Sequence, residues 1–292
     1  MNTDLDSLFH QFFESIRLDE DYVKTMRVRR SVIVKAINRK FRDSETDEHY
    51  LHVGSYGRHT AAKGSDFDIA VILPDLYRLR FTLHATNGPS HLLQVVKEAI
   101  CISYPKTDIH GDGQVVKIQF SDGQKFEILP AFEMDYPRGM LTYPDSHDDG
   151  KWMTTDPRSE KDAISDLNSS CNNKLYDLCR AVRIWNRNKK VGMSGYAIDA
   201  SVCEFSQKCP SPYYQDISHL IAGYFQYISE KTFYQSWRMI GSGNNVATID
   251  YRNDVKITLF DIQRAISLAS CGMVKESAKV WRSVFGTDFP IE

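Results

Sequence analysis

The chain has 292 residues, 42% of them apolar and 25% charged, and its 36 Lys and Arg against 38 Asp and Glu leave a net charge of −2. That length supports one large domain or two smaller ones around a substantial core, and the composition excludes a disordered chain. A near-neutral total charge supplies no global field toward nucleic acid or membrane, so neither is an expected partner and any anionic ligand must be handled locally.

The first residues, MNTDLDSLFHQFFESIRL, are acidic and lack the basic-then-apolar order of a secretory signal. With no apolar stretch of membrane-spanning length either, a cytoplasmic protein is expected. Residues 19–42 place Tyr22, Met26, Ile33, Ile37 and Phe41 at helical spacing, with acids at the start and cations at the end, which predicts a long amphipathic helix. Its cations, among them Lys24, Arg27, Arg29, Arg30, Lys35, Arg39 and Lys40, read as a solvated face, with a nucleic-acid surface as the alternative. HYLHVGS predicts a short strand, FDIAVILP a second strand stopped by Pro74, and residues 90–104 a helix. GQVVKIQF, the turn SDGQ and KFEILPAF predict a hairpin, because Asp-Gly is a strong turn signal.

Residues 136–157 are rich in Pro, Asp, Gly and Ser without periodicity and predict a long connecting loop. The lobe boundary is placed there, giving a mixed-sheet core flanked by helices over 1–150 and a helical lobe over 151–292. Helices are expected over about 159–189, 194–208, 211–229 and 258–284, broken mainly at GSGNN, where Asn244 and Asn245 read as turn or cap residues. The six cysteines, Cys209 included, form no CxxC pair and no cluster with histidine, so reduced thiols are expected rather than zinc or disulfides. The nine histidines are scattered and suggest no catalytic role.

The chemistry concentrates in HVGSYGRHTAAKGSDFDIAVILP, residues 52–74. Glycine lets backbone amides approach phosphate oxygens and a hydroxyl adds a donor, which Gly54 and Ser55 provide. Residues two apart on a strand face the same side, so Asp66 and Asp68 aim their carboxylates at one point, where they repel unless a cation lies between them. Ser65 reads as a residue that orders the loop. Hard oxygen ligands of this kind, with substrate phosphates, suit Mg²⁺, and a two-metal site wants a third carboxylate from a neighbouring strand. Glu127 is a lone acid in the apolar run KFEILPAF and is the candidate, a surface position beside Lys125 being the alternative.

Val53-Gly54-Ser55, then Asp66-Phe67-Asp68-Ile69, then an acid before Leu129-Pro130-Ala131 resembles the hG[GS]…DhDh…[DE] signature of the DNA polymerase β-like nucleotidyltransferases. Among them the chain most resembles the bacterial cGAS/DncV-like enzymes that make cyclic oligonucleotide signals. YDLCRAVRIWNRNKK, SGYAIDASVCEF and GSGNNVATIDYRNDVKITLFDIQRAISLA extend the resemblance into the helical lobe. Two positions depart from the pattern. Glu127 stands where aspartate is commonest, and Arg180 and Arg183 lie near Trp185 where the family commonly has a lysine.

The resemblance implies an α+β, polymerase β-like core with a helical lobe that closes over the nucleotide. It implies Asp66, Asp68 and Glu127 as catalytic metal ligands for two Mg²⁺ ions, with Mn²⁺ as a substitute. Gly54, Ser55, Arg180, Arg183, Ser194 and Tyr196 are the implied nucleotide contacts, with Lys174 as a rival cation and core packing as the alternative for Tyr196. The implied activity joins NTPs, ATP and GTP first, into a cyclic di- or trinucleotide with release of pyrophosphate, for an antiphage signal read by a separate effector protein. A monomer is expected. The alternatives are nucleotidyl transfer to an RNA end or a protein, and a catalytically silent nucleotide-binding relative.

Overall fold

In chain order, the computed structural model contains α1 (Thr3–Ile16), α2 (Glu20–Arg42), β1 (Tyr50–His52), α3 (Gly54–Gly57), β2 (Phe67–Ile72), α4 (Leu76–Thr82) and α5 (Gly88–Ser103). Then follow β3 (Asp108–Asp112), β4 (Val115–Gln119), β5 (Lys125–Glu133), β6 (Leu141–Asp145), β7 (Lys151–Thr155), α6 (Pro157–Ser170), α7 (Leu175–Lys189) and α8 (Gly195–Lys208). The last elements are α9 (Ile217–Ser229), β8 (Trp237–Arg238), β9 (Asn245–Val246), α10 (Arg252–Ser270) and α11 (Val274–Phe285). Residues 3–83, 87–208, 216–231 and 236–291 are described. Cys209 and the first residues of the helix expected over 211–229 lie outside them.

Two units separate, and their bounds differ from a single cut at residue 150. One comprises Asp19–Arg58 and Gly64–Ser159, and the other Met1–Leu18, His59–Lys63 and Glu160–Glu292. The N-terminal segment joins the helical unit because α1 carries Leu5, Leu8, Phe9, Phe12, Phe13 and Ile16 into the helical core. Their spacing is that of one helix face.

In the first unit, α2 starts where the Asp19 carboxylate accepts from the N–H groups of Asp21 and Tyr22, at 2.9 and 3.1 Å. Glu20 and Asp21 at its start and Arg39, Lys40 and Arg42 at its end suit the helix dipole. Met26, Ile33, Val34, Ile37 and Phe41 bury its apolar face against the sheet core. Several of its cations have structural partners: Arg29 pairs with Asp122 at 2.8 Å, Arg30 with Asp47 at 3.5 Å and Arg39 with Glu45 at 2.6 Å. The sheet runs β1-β2-β5-β4-β3, with β6 beside the end of β5 and β7 beside β6. The β2 and β5 strands are parallel and the other pairs antiparallel. Gly123, at φ +86°, turns the expected β4–β5 hairpin.

The loop expected over 136–157 contains the β6–β7 hairpin. Pro144 and the buried Asp145 interrupt the apolar alternation that marks a strand, and the Asp- and Gly-rich stretch is its turn, with Asp148, Asp149 and Gly150 at positive φ.

In the helical unit, the helix expected over 159–189 is two helices, because Asn172 and Asn173 both take left-handed conformations at φ 51° and 59°. Likewise α10 and α11 are separated at Gly272, with φ +76°. The core gathers α1 and α7 to α11 around Trp185, Tyr224, Phe225 and Trp281, all fully buried. No described helix is long and apolar enough to cross a membrane.

Candidate active site

The carboxylates are placed by the parity of two strands. Phe67 and Phe126 are in register on β2 and β5, both buried, with ring centroids 5.0 Å apart. Their neighbours Asp68 and Glu127 are also in register and emerge on the opposite face of the sheet. Adjacent strands lie about 4.8 Å apart, so this register alone brings the two acids side by side. Asp66, two residues before Asp68 and just ahead of β2, shares its parity and is exposed.

Gly54 opens the short α3 at φ +60°, and its Cα lies so near Asp68 that a Cβ there would overlap the carboxylate and stand 2.8 Å from Asp68 Cβ. Ser55 follows and is buried. The Val53 N–H donates to Asp68 O at 3.1 Å, tying the start of α3 to β2. The backbone N–H groups in the first turn of a helix lack intrahelical acceptors, which suits an anionic ligand.

Tyr22 on α2 donates to Ser65 O at 3.1 Å, one residue before Asp66. Burial, then the charges of Asp66 and Asp68, push its phenol up to about 12.

Glu127 has a partner that β4 supplies. Lys117 is opposite Glu127 in the antiparallel register, and its Nζ lies 3.3 Å from Glu127 Oε1 and 2.6 Å from Asp112 Oδ2. Among the described residues no three His, Cys, Asp or Glu side chains form a ready metal cluster. The structure thus brings Asp68 and Glu127 to adjacent register positions and engages Glu127 with an ammonium. The donors fit a hard divalent cation because they are carboxylate oxygens, and the missing side chain of Gly54 lets the Asp68 carboxylate lie directly against the α3 turn. Asp66, Asp68 and Glu127 would hold it.

The implied nucleotide contacts of the helical lobe are occupied within their own unit. Arg180 donates Nε to Ala61 O at 3.1 Å and Nη2 to His59 O at 2.8 Å, and its Nη1 pairs with Asp177 at 2.7 Å. Arg183 is buried against Asp199 at 2.6 Å, Gly195 O at 3.0 Å and Thr60 Oγ1 at 3.2 Å. Both guanidiniums thus have protein acceptors in this structure. Ser194 caps α8, its Oγ accepting from Ala197 N at 3.1 Å, and is otherwise exposed. Tyr196 packs against the helical core and donates its hydroxyl to the buried Glu160, which also accepts from Ser242 in the GSGNN turn at 2.7 Å. Burial and the Glu160 charge hold the Tyr196 phenol well above its ordinary value. Lys174, the rival cation, precedes α7 and is half-buried.

Sequence reasoning missed Lys117, the Tyr22 hydroxyl and Arg187. Counting back from the SDGQ turn pairs Phe120 with Lys125 and puts Ile118 opposite Glu127, whereas the structure pairs Gln119 with Lys125, a shift of one residue that brings Lys117 there instead.

Residues 1–168 match the family described as Second Messenger Oligonucleotide or Dinucleotide Synthetase domain. A Bacillus cereus (strain VD146) protein named "Probable cyclic nucleotide synthase" is 26% identical over 217 residues, which are 70% of this chain and 64% of that protein, so the chain spans less than two thirds of that relative's length. Among solved structures, Escherichia coli MS115-1 CdnC with ATP has 15% identity and a TM-score of 0.71, covering 97% of this chain and 98% of that one. Vibrio cholerae DncV cyclic AMP-GMP synthase, in complex with the linear intermediate 5′ pppA(3′,5′)pG, has 13% identity and a TM-score of 0.71, covering 97% of each chain. At such identities these likenesses show the fold, which is the polymerase β-like nucleotidyltransferase fold with its mixed sheet and flanking helices.

Proposed function

The chain belongs to the family of second messenger oligonucleotide or dinucleotide synthetase domains, and from that premise we propose that it is a divalent-metal-dependent nucleotidyltransferase that joins NTPs into a cyclic oligonucleotide, a cyclic dinucleotide first among the candidates. The observation that carries this reading is the register pair of Asp68 and Glu127 on adjacent parallel strands, with Asp66 two residues ahead of Asp68 in the chain and Gly54 kept free of a side chain beside Asp68.

Asp66, Asp68 and Glu127 would hold Mg²⁺ or Mn²⁺. A bound divalent ion in such a site neutralises phosphate charge and lowers the pKa of an attacking ribose hydroxyl. The chain's own residues do the rest. Gly54 and Ser55 place the turn that accepts phosphate oxygens, and the tie from Val53 N–H to Asp68 O keeps that turn against the carboxylates. Tyr22 holds the carbonyl of Ser65 and so orients the residue that leads into Asp66. Attack of one NTP's ribose hydroxyl, with loss of its proton, on the α-phosphorus of another breaks the bond to pyrophosphate. A second attack within the linear product, by its free ribose hydroxyl on its remaining α-phosphorus, loses a second proton and a second pyrophosphate and closes the ring.

ATP and GTP are the first substrates to test, because the similar structures hold ATP and pppA(3′,5′)pG. A second messenger acts by being bound elsewhere, so a separate effector protein that recognises the product belongs to the proposal. Antiphage signalling inside the cytoplasm is the setting that the likeness to bacterial cGAS/DncV-like enzymes implies.

The test is incubation with labelled NTP mixtures and Mg²⁺ or Mn²⁺. Pyrophosphate and a small phosphatase-resistant product, both lost in Asp68→Asn, are expected. Label on RNA or protein, or nucleotide binding without turnover in every mixture, overturns the reading.

A further inference from the structure

The segment His59–Lys63 links α3 to Gly64 and the start of β2, yet it belongs to the helical unit. It has no regular secondary structure, and Thr60, Ala61 and Ala62 are nonetheless buried. Buried irregular backbone needs partners for its carbonyls, and here arginines of α7 supply them.

Arg180, Arg183 and Arg187 follow one another at i, i+3 and i+7 and so lie along one face of the helix. They meet the segment in order. Arg180 bonds the carbonyls of His59 and Ala61, at 2.8 and 3.1 Å. Arg183 reaches Thr60 Oγ1, which itself donates to Asp199 at 2.8 Å. Arg187 donates Nη1 to Lys63 O at 2.5 Å, while the Lys63 N–H donates to Ile16 O at 2.7 Å. His59 sits at φ +63°, a conformation that costs a non-glycine residue energy and persists only when its surroundings impose it.

One end of this strap continues through Arg58 into the turn that carries Gly54 and Ser55. The other end is three residues from Asp66. We propose that Arg180 and Arg187 are positioning residues for nucleotidyl transfer: Arg180 holds the His59 end and with it the phosphate-binding turn, and Arg187 holds the Lys63 end and with it Asp66. The inference rests on the reading of Asp66 and Asp68 as metal ligands and of Gly54 and Ser55 as phosphate contacts. Its distinctive content is that the two arginines act on different ligands. Arg183, at the centre, serves the buried network, so its loss affects folding first.

The experiment measures two affinities in the full chain: Mn²⁺ alone by electron paramagnetic resonance, and a non-hydrolysable ATP analogue at saturating Mn²⁺ by calorimetry. Loss of one charge-assisted bond is worth about a tenfold or larger change in an equilibrium constant. Arg187→Met should weaken Mn²⁺ by that factor and leave the analogue within about twofold at saturating Mn²⁺, and Arg180→Met should do the reverse. Arg187→Lys should recover Mn²⁺ affinity, because one ammonium donor suffices for one carbonyl. Circular dichroism and melting confirm the fold of each variant, and Arg187→Gln and Arg180→Gln replace any methionine variant that does not fold. Unchanged affinities, equal loss of both affinities in both variants, or no recovery in Arg187→Lys overturn the inference. Asp66→Asn separates this from the underlying reading: wild-type Mn²⁺ binding that survives Asp66→Asn unchanged overturns the metal reading, and the inference with it.

Discussion

Gly54 lies against Asp68 so closely that a methyl group on its Cα would overlap the carboxylate. The backbone strain of alanine at φ +60° is only about 1 kcal/mol, which a folded domain tolerates. The overlap is the larger effect, since Asp68 Cβ would stand 2.8 Å from the new carbon and the carboxylate would have to swing away. Gly54→Ala is therefore expected to fold, with unchanged far-ultraviolet circular dichroism, and to lose about 100-fold or more in turnover, the scale of a displacement near 1 Å at a reacting centre. Mn²⁺ affinity should fall in parallel. A variant that binds Mn²⁺ as the parent does would show that Asp68 is not a ligand.

Glu127 and Lys117 set up a competition between two cations. The ammonium lies 3.3 Å from one oxygen of the carboxylate that the metal reading requires, so a metal ion there would compete with it for the same negative charge. An exposed or half-exposed pair of this kind is worth about 0.2–1 kcal/mol. Lys117→Met is expected to tighten Mn²⁺ binding about twofold to fivefold, measured by titration without nucleotide. Glu127→Gln should weaken it, and the double variant should behave as Glu127→Gln. Weaker Mn²⁺ binding in Lys117→Met would mean that the lysine positions Glu127 rather than competing for it.

The features readable from the chain are those written in local periodicity. The α2 helix shows its acidic start, basic end and apolar face within one segment, and Asp66, Phe67 and Asp68 show their parity directly. The β4–β5 turn carries its own Asp-Gly mark. What escaped depends on contacts far along the chain. The β6–β7 hairpin hides behind Pro144 and a buried aspartate whose partners include Gln114, in the β3–β4 turn 31 residues earlier, at 3.2 Å. Arg180 and Arg183 look like phosphate cations in a motif comparison, whereas their neighbours are carbonyls and a hydroxyl of His59–Lys63, more than a hundred residues earlier. No pattern in a single segment announces a carbonyl that needs a donor.

Tyr196 has two separable parts, a ring and a hydroxyl. The hydroxyl donates to Glu160, a buried acid, and with Ser242 fixes the GSGNN turn to α6. Removing a donor from a buried acceptor costs about 1–3 kcal/mol. Tyr196→Phe should lower the melting temperature by several degrees and leave the KM for NTPs within about twofold, whereas Tyr196→Ala should change both if the ring stacks on a base. A Tyr196→Phe variant with parental stability and a tenfold higher KM would assign the hydroxyl to substrate instead.

Asp145 provides a pH test of the sheet unit. Burial favours its neutral form, but the His147 N–H at 3.1 Å, the His147 ring at 2.7 Å, Gln114 and the charge of Lys151 outweigh that and hold its carboxyl at about 2. The folded value lies below the ordinary 3.8, so protons bind the unfolded chain more readily. The stabilisation is therefore complete above about pH 4 and is lost as the pH falls from there through about 2. Asp145→Asn keeps the shape and an acceptor for the His147 N–H but discards the charge. Urea unfolding should place it about 1–2 kcal/mol below the parent at pH 7 and at pH 5, with the gap narrowing at pH 3.5 and closing further toward pH 2. The neighbouring residue links this acid to the β3–β4 turn, because the Ser146 N–H and Oγ both donate to Gly113 O, at 2.8 and 2.9 Å. Loss of the charge should consequently speed amide exchange in Ser146 before it affects β2 and β5. A gap that stays constant down to pH 2 would mean that the ionised form of Asp145 is not what its partners stabilise.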